Sequence, residues 1–179
     1  MSTNMENDEL FFLADKAIGD GNIVEAEKML NTIIANNPNY GKAYNHLGWL
    51  YYYKFLDSEK AEYYFELVLK HLPEYKPVYL HYSALLSEQV RIDEHKKLID
   101  TANKLNRLDD ARYNEELGVN YELREQYNEA INYYYKAERL GVMPNDTVIA
   151  THIARCKKKR DVIAPSKWKR VMGIILNKI

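Results

Sequence analysis

The chain of 179 residues contains one cysteine, Cys156, so no disulfide can form within it and a reducing compartment fits. That thiol stands beside Lys157 to Lys159, with no acid–base partner in sequence, and reads as a packed side chain rather than a nucleophile. The chain has no Gly-rich phosphate loop, no His-Glu-x-x-His and no cysteine pair. Its acids are dispersed over helix faces, several with Lys or Arg three or four residues away. We therefore expect no enzyme activity, no cofactor and no bound metal. No apolar run approaches the ~18 residues of a membrane span. The N-terminus MSTNMENDEL is polar and acidic, which is wrong for a signal peptide. The cytoplasm is the expected location. Net charge is −1, so the whole chain is not built to coat nucleic acid, and no nucleic-acid partner is expected.

What is present is uneven in charge and rich in tyrosine. Residues 157–179 carry eight Lys/Arg and one acid, Asp161, which is +7 and leaves −8 for residues 1–156. Such asymmetry points to a tail with its own role. Sixteen tyrosines include the triplets Tyr51–Tyr53 and Tyr133–Tyr135. Three consecutive side chains on a helix, ~100° apart, cannot all point inward, so some tyrosines must face solvent.

The segment 44–73 organises the rest. Tyr44, Leu47-Gly48, Tyr51, Ala61, Phe65 and Pro73 follow the pattern aromatic-x2-Leu-Gly-x2-Tyr, Ala-x3-Phe, Pro. Gly48 and Ala61 allow close helix approach, the aromatics fill the space between two helices, and Pro73 ends the second. Upstream, Leu10, Leu13-Ala14, Ala17, Ala26, Leu30 and Pro38 fall on the same slots. Downstream, Leu117-Gly118, Tyr121, Ala130, Tyr134 and Ala137 repeat them. A degraded unit between holds Tyr79, Tyr82-Ser83, Leu86, His95, Ile99 and Ala102. The equivalent residues Leu13, Leu47, Tyr82 and Leu117 are 34, 35 and 35 apart. This recurrence resembles the tetratricopeptide repeat (TPR) family, helix–turn–helix units of about 34 residues that bury their apolar faces only by stacking. The departures are His95 in a small-residue slot, where the third unit is expected to splay, and Arg107 and Val142 in place of the terminal proline.

The resemblance implies an all-α fold, a right-handed α-solenoid of about four repeats. Their expected bounds are 7–40, 41–75, 76–110 and 111–144. A capping helix over 146–160 completes a domain spanning 1–163, and a basic amphipathic C-terminal helix covers 164–179. Spacing and breakers predict helices over 5–18, 23–35, 40–53, 58–71, 76–88, 93–105, 110–123 and 127–140. Asp57-Ser58 is expected to cap the fourth helix and Gly141 to close the eighth in a left-handed conformation. The stripe Val148, Ile149, His152, Ile153 and Cys156 is expected to face inward from the capping helix.

The resemblance also implies function. In this family the first helices of the units line a concave groove that holds a peptide or a helix. Here that face comprises Phe11, Asp15, Asn45, His46, Trp49, Tyr52, Tyr53, Leu80, His81, Arg112, Glu115, Glu116 and Glu122. The carboxylate clamp of the chaperone-binding members is absent, since its slots hold Phe11, Asp15, His46, Pro77 and His81. The ladder His46, His81 and Glu116 reads either as a metal site or as the polar lining of a wet groove. Ladder pitch converges poorly on one ion, which favours the groove. The mix of aromatics with acids at the fourth unit points to a ligand with an apolar anchor and some basic character.

The expected function is a non-enzymatic protein–protein interaction module that binds a protein or peptide partner. The alternative is a structural or assembly protein that self-associates through tyrosine-rich faces and the C-terminal helix. That helix places Trp168, Val171, Met172 and Ile175 on one stripe. Its expected role is to dock on the repeats, with membrane-surface contact as the competing reading.

Overall fold

In the computed structural model, residues 2–141 and 147–163 are described. Nine helices appear among them: α1 (Ser2–Gly19), α2 (Ile23–Asn36), α3 (Gly41–Tyr53), α4 (Ser58–His71), α5 (Lys76–Glu88), α6 (Ile92–Lys104), α7 (Asp110–Leu123), α8 (Tyr127–Leu140) and α9 (Thr147–Ile163). The spacing-based boundaries agree closely for α2 to α8. Helix α1 starts earlier than Met5, and α9 continues past residue 160. Trp168, Val171, Met172 and Ile175, and with them the whole docking-helix expectation, lie outside the described residues.

The chain forms two compact units, Met1–Gln89 and Val90–Ile179. In the first, α1 packs on α2, α2 on α3, α3 on α4, and α4 and α3 on α5. Its core includes Ala14, Ala26, Leu30, Ile33, Ala43, Leu47 and Leu50, all fully buried. Alanines at these slots let backbones approach, while the larger residues fill the space left over. Two approaches are equally tight: a Cβ would stand 2.5 Å from the Phe65 ring at Gly48 and 2.5 Å from Leu72 Cβ at Gly41. Withdrawing a ring such as Phe65 completely from water contributes about 2–3 kcal/mol.

The second unit repeats that geometry. A Cβ on Gly118 would stand 2.5 Å from Tyr134, the residue in the Phe65 slot, and Tyr134 is fully buried. Helix α9 lays Ile149, Ile153 and Cys156 on Tyr127, Ala130, Ile131, Tyr134 and Ala137 of α8. Val148 was expected on this stripe but is 52% exposed. Burial, followed by a hydrogen bond to Glu122, pushes the Cys156 thiol up to about 12, so it stays protonated and inert.

The turn inside each helix pair has one recurring device. Gly21, Leu56, Val90 and Glu125 all have positive φ, at 79°, 55°, 58° and 60°, at spacings of 35, 34 and 35. A left-handed residue lets the backbone reverse and close bonds such as Asn22 N to Ala17 O and Gln126 N to Tyr121 O. Only the first repeat places glycine there. At the other three the side chain costs about 1 kcal/mol or more, held by the packing on either side.

A second device ties one repeat to the next within the first unit. Tyr44 OH donates to Pro38 O at 2.9 Å, and Tyr79 OH donates to Pro73 O at 2.7 Å. The tyrosine that opens a repeat thus holds the carbonyl of the proline that ended the previous one. In the fourth repeat both members are replaced, with Asn114 and Arg107–Leu108 in these positions. Asp57 caps α4 by accepting from Lys60 N at 3.0 Å, as expected, and Asp109 caps α7 from Arg112 N at 2.8 Å. Gly141 departs from expectation. Its φ of −66° and ψ of 148° are extended rather than left-handed. Its N–H still bonds Ala137 O, so the helix ends without a reversal.

Candidate functional site

In the first unit, α1, α3 and α5 open a cleft of about 230 Å³ lined by Asp15, Ile18, Asn45, His46, Trp49 and His81. Helical spacing explains the convergence. Phe11, Asp15 and Ile18 fall at four- and three-residue steps on α1, as do Asn45, Trp49 and Tyr52 on α3. Phe11 meets His46 edge-on at 4.6 Å. The His46 ring lies between two acceptors, with Nδ1 3.2 Å from Lys42 O and Nε2 3.2 Å from Asp15 Oδ1. Asn45 is 3% exposed, and its Oδ1 meets no hydrogen-bond donor of the protein.

An aromatic wall continues from the cleft. Trp49 packs on Tyr53 at 5.4 Å, Tyr53 on Tyr52 at 4.4 Å and on His81 at 6.3 Å. Tyr53 is 45% exposed. Tyr52 OH donates to Glu88 Oε2, which holds that ring in place. Burial, and then this carboxylate, push the Tyr52 phenol above its usual range. Burial lowers the His81 pKa, as does charge repulsion from His46, so His81 is neutral at neutral pH. Leu80 is half-buried on α5.

Nine of the residues expected on a binding face thus belong to the first unit: Phe11, Asp15, Asn45, His46, Trp49, Tyr52, Tyr53, Leu80 and His81. Ile18, Glu88 and Lys54 were missed. Ile18 was legible as the residue seven after Phe11. Glu88 and Lys54 reach this face through long side chains that periodicity does not locate.

The second unit treats its expected site residues differently. Glu116 is 8% exposed and faces His95, which is fully buried. Its Oε2 stands 3.2 Å from His95 Nε2, and Asn120 Nδ2 stands 3.2 Å from His95 Nδ1. With Nε2–H donating to Glu116 and Nδ1 accepting from Asn120, one neutral tautomer satisfies both contacts. The large residue in the small-residue slot is therefore accommodated by polar partners. Arg112 is paired with Glu115 at 2.6 Å. Glu122, expected on the groove face, is instead covered by α9. It accepts from Arg155 Nε and Nη2, both at 2.7 Å, from Lys159 at 3.0 Å and from Tyr134 OH at 3.1 Å. These acids are engaged within their own unit.

The imagined metal ladder of His46, His81 and Glu116 therefore has its carboxylate turned onto His95. Among the described residues no group of three or more His, Cys, Asp or Glu is placed to hold a metal ion. No described helix is long and apolar enough to cross a membrane.

No family model matches the sequence, and neither does any curated protein. Solved structures do match. The chain is similar to PilF of Pseudomonas aeruginosa, with TM-score 0.74 and 21% identity, over 91% of this chain and 73% of that one. It is similar to MamA, residues 41 to the end, from Desulfovibrio magneticus RS-1, with TM-score 0.72 and 19% identity over 96% of each chain. It is also similar to TTC0263, a thermophilic TPR protein of Thermus thermophilus, with TM-score 0.64 and 20% identity, over 84% of this chain and 80% of that one. At these identities the likeness speaks for architecture alone. The repeated slots, the repeated turn and these structural matches agree that the chain has the tetratricopeptide-repeat fold.

Proposed function

We propose that the chain is a non-enzymatic protein-interaction module whose first unit holds a segment of a partner protein. The partner lies along the face formed by α1, α3 and α5. The observation that carries this reading is the joining of a polar cleft to an aromatic wall on one side of one unit. Aromatic side chains beside a pocket are what dominate interface energetics, because they bury large area at small entropic cost. The fold supports the same reading, since repeat stacks offer extended surfaces and carry function in sites rather than in the scaffold.

The test is Trp49→Ala combined with Tyr52→Ala. Both rings are partly exposed, so helical content by circular dichroism should be retained. Capture of partner proteins by the full chain, quantified by mass spectrometry, should fall at least tenfold, as expected when hot-spot aromatics worth ~2 kcal/mol each are removed. Equal capture by both chains would place the binding face elsewhere.

A second reading is self-association. Tyr63, on α4, is 58% exposed and lies edge-on to Tyr64, which in turn stacks on Tyr51 at 5.5 Å. The equivalent pair Tyr121–Tyr133 stacks at 5.0 Å in the second unit. A recurring aromatic pair could join two copies. A sedimentation coefficient that rises with protein concentration would favour this reading over the first.

A further inference from the structure

The proposed partner face leaves open what chemistry its cleft selects, and this inference rests on that reading. The six lining residues include one carboxylate and neither lysine nor arginine. Asp15 touches His46 through Oδ1 alone, and its side chain is 64% exposed. Asn45, nine-tenths and more buried, adds an amide oxygen with no donor from the protein. A buried acceptor left unmet costs about 1–3 kcal/mol, which an arriving donor would recover. His81 is held neutral by burial and by its neighbour His46, so its ring adds no positive charge.

The walls of the cleft match those acceptors. Trp49 presents its indole beside the cleft, and the protein's own Lys54 already places Nζ 5.4 Å from that ring's centroid. The ring thus attracts an ammonium through its negative face. Acceptors at the base, an aromatic wall and a carboxylate at the rim form a receptor for positive charge. An anion would meet Asp15, and beside the His46 ring the lining holds neither lysine nor arginine to offset it.

We propose that the cleft between α1, α3 and α5 receives one side-chain cation, a lysine or arginine, from the partner segment. The charged head lies between Asp15 and Asn45, with its stem along Trp49. The remaining charged groups nearby do not occupy that place. Glu88 is tied to Tyr52 OH, and Lys54 lies on the Trp49 ring.

The experiment uses the full chain, isotope-labelled, titrated with Nα-acetyl-arginine amide, Nα-acetyl-lysine amide and the neutral Nα-acetyl-citrulline amide. The readout is the Trp49 indole N–H and the ring signals of His46 and His81. The arginine or the lysine probe, or both, should shift these signals saturably, and citrulline should bind about tenfold more weakly, as loss of a charge-assisted hydrogen bond predicts. Asp15→Asn, at an exposed position that leaves the fold intact, should weaken the cationic probes about fivefold and leave citrulline unchanged. Citrulline binding as well as arginine, no probe shifting the cleft signals, or indifference to Asp15→Asn would each overturn the cation assignment. That result would leave the broader reading standing, because the Trp49/Tyr52 variant tests it by partner capture.

Discussion

Replacing Gly118 by leucine should destabilise the second unit by about 3 kcal/mol and lower its melting temperature by roughly 10–20 °C. The reason is spatial. A Cβ at Gly118 would stand 2.5 Å from both Cδ1 and Cε1 of Tyr134. That ring cannot step aside. Tyr134 is fully buried, its hydroxyl donates to Glu122 at 3.1 Å, and the His152 ring packs against it in a T-shaped contact at 5.1 Å. Displacing it would disturb α8 and the seat of α9 together. Gly118→Ala makes a sharper comparison. In an ordinary helix interior that change stabilises by about 1 kcal/mol. Here it should destabilise, because even one methyl overlaps the ring. A melt that is unchanged or raised for the alanine variant would contradict the close approach of α7 and α8.

Glu122→Ala should cost about 2–3 kcal/mol at neutral pH, and the loss should be greatest in α9. Burial raises the Glu122 pKa, but the hydrogen bonds from Arg155 and Lys159 outweigh it and bring it from 4.5 to about 2. A carboxylate with a lowered folded-state pKa contributes stability above its unfolded value. That contribution is lost as pH falls towards the folded value. The gap between native chain and variant should therefore be complete above about pH 4.5 and shrink as pH approaches 2. Arg155 and Lys159 remain 43% and 48% exposed, so they rehydrate when the acid is removed, and the cost stays moderate. The buried Tyr134 hydroxyl loses its acceptor outright. Denaturant melts from pH 7 to pH 2, with hydrogen exchange over 147–163, give the answer. A gap that does not vary with pH would show that the ion pairs contribute nothing to docking α9.

The repeat spacing made the helices legible because each slot has a steric meaning. Gly48 and Gly118 face rings, and Ala61 and Ala130 are fully buried. The recurring left-handed turn was not legible. Only Gly21 announces it, whereas Leu56, Val90 and Glu125 occupy the same position against their local preference. Here the packing of both helices decides the backbone. The fate of the acids was also hidden. Glu116 and Glu122 occupy groove-facing positions by periodicity, yet their long side chains turn back to His95 and to Arg155, partners 21 and 33 residues away. Periodicity places a Cβ and leaves three further torsions undetermined. The cleft of the first unit was legible because its members are rings and short side chains, whose direction follows the backbone closely.

A partner on the α1, α3 and α5 face of the first unit would lie within reach of Tyr53. The most direct measurement places a photo-crosslinking phenylalanine derivative at Tyr53 in one full-length chain and at Tyr63 in another. Both positions are exposed, at 45% and 58%, and they lie on different helices, α3 beside the cleft and α4 away from it. After irradiation in cells of the source organism, position 53 should give covalent adducts to a partner protein and position 63 none. Adducts from position 63 with none from position 53 would contradict that placement.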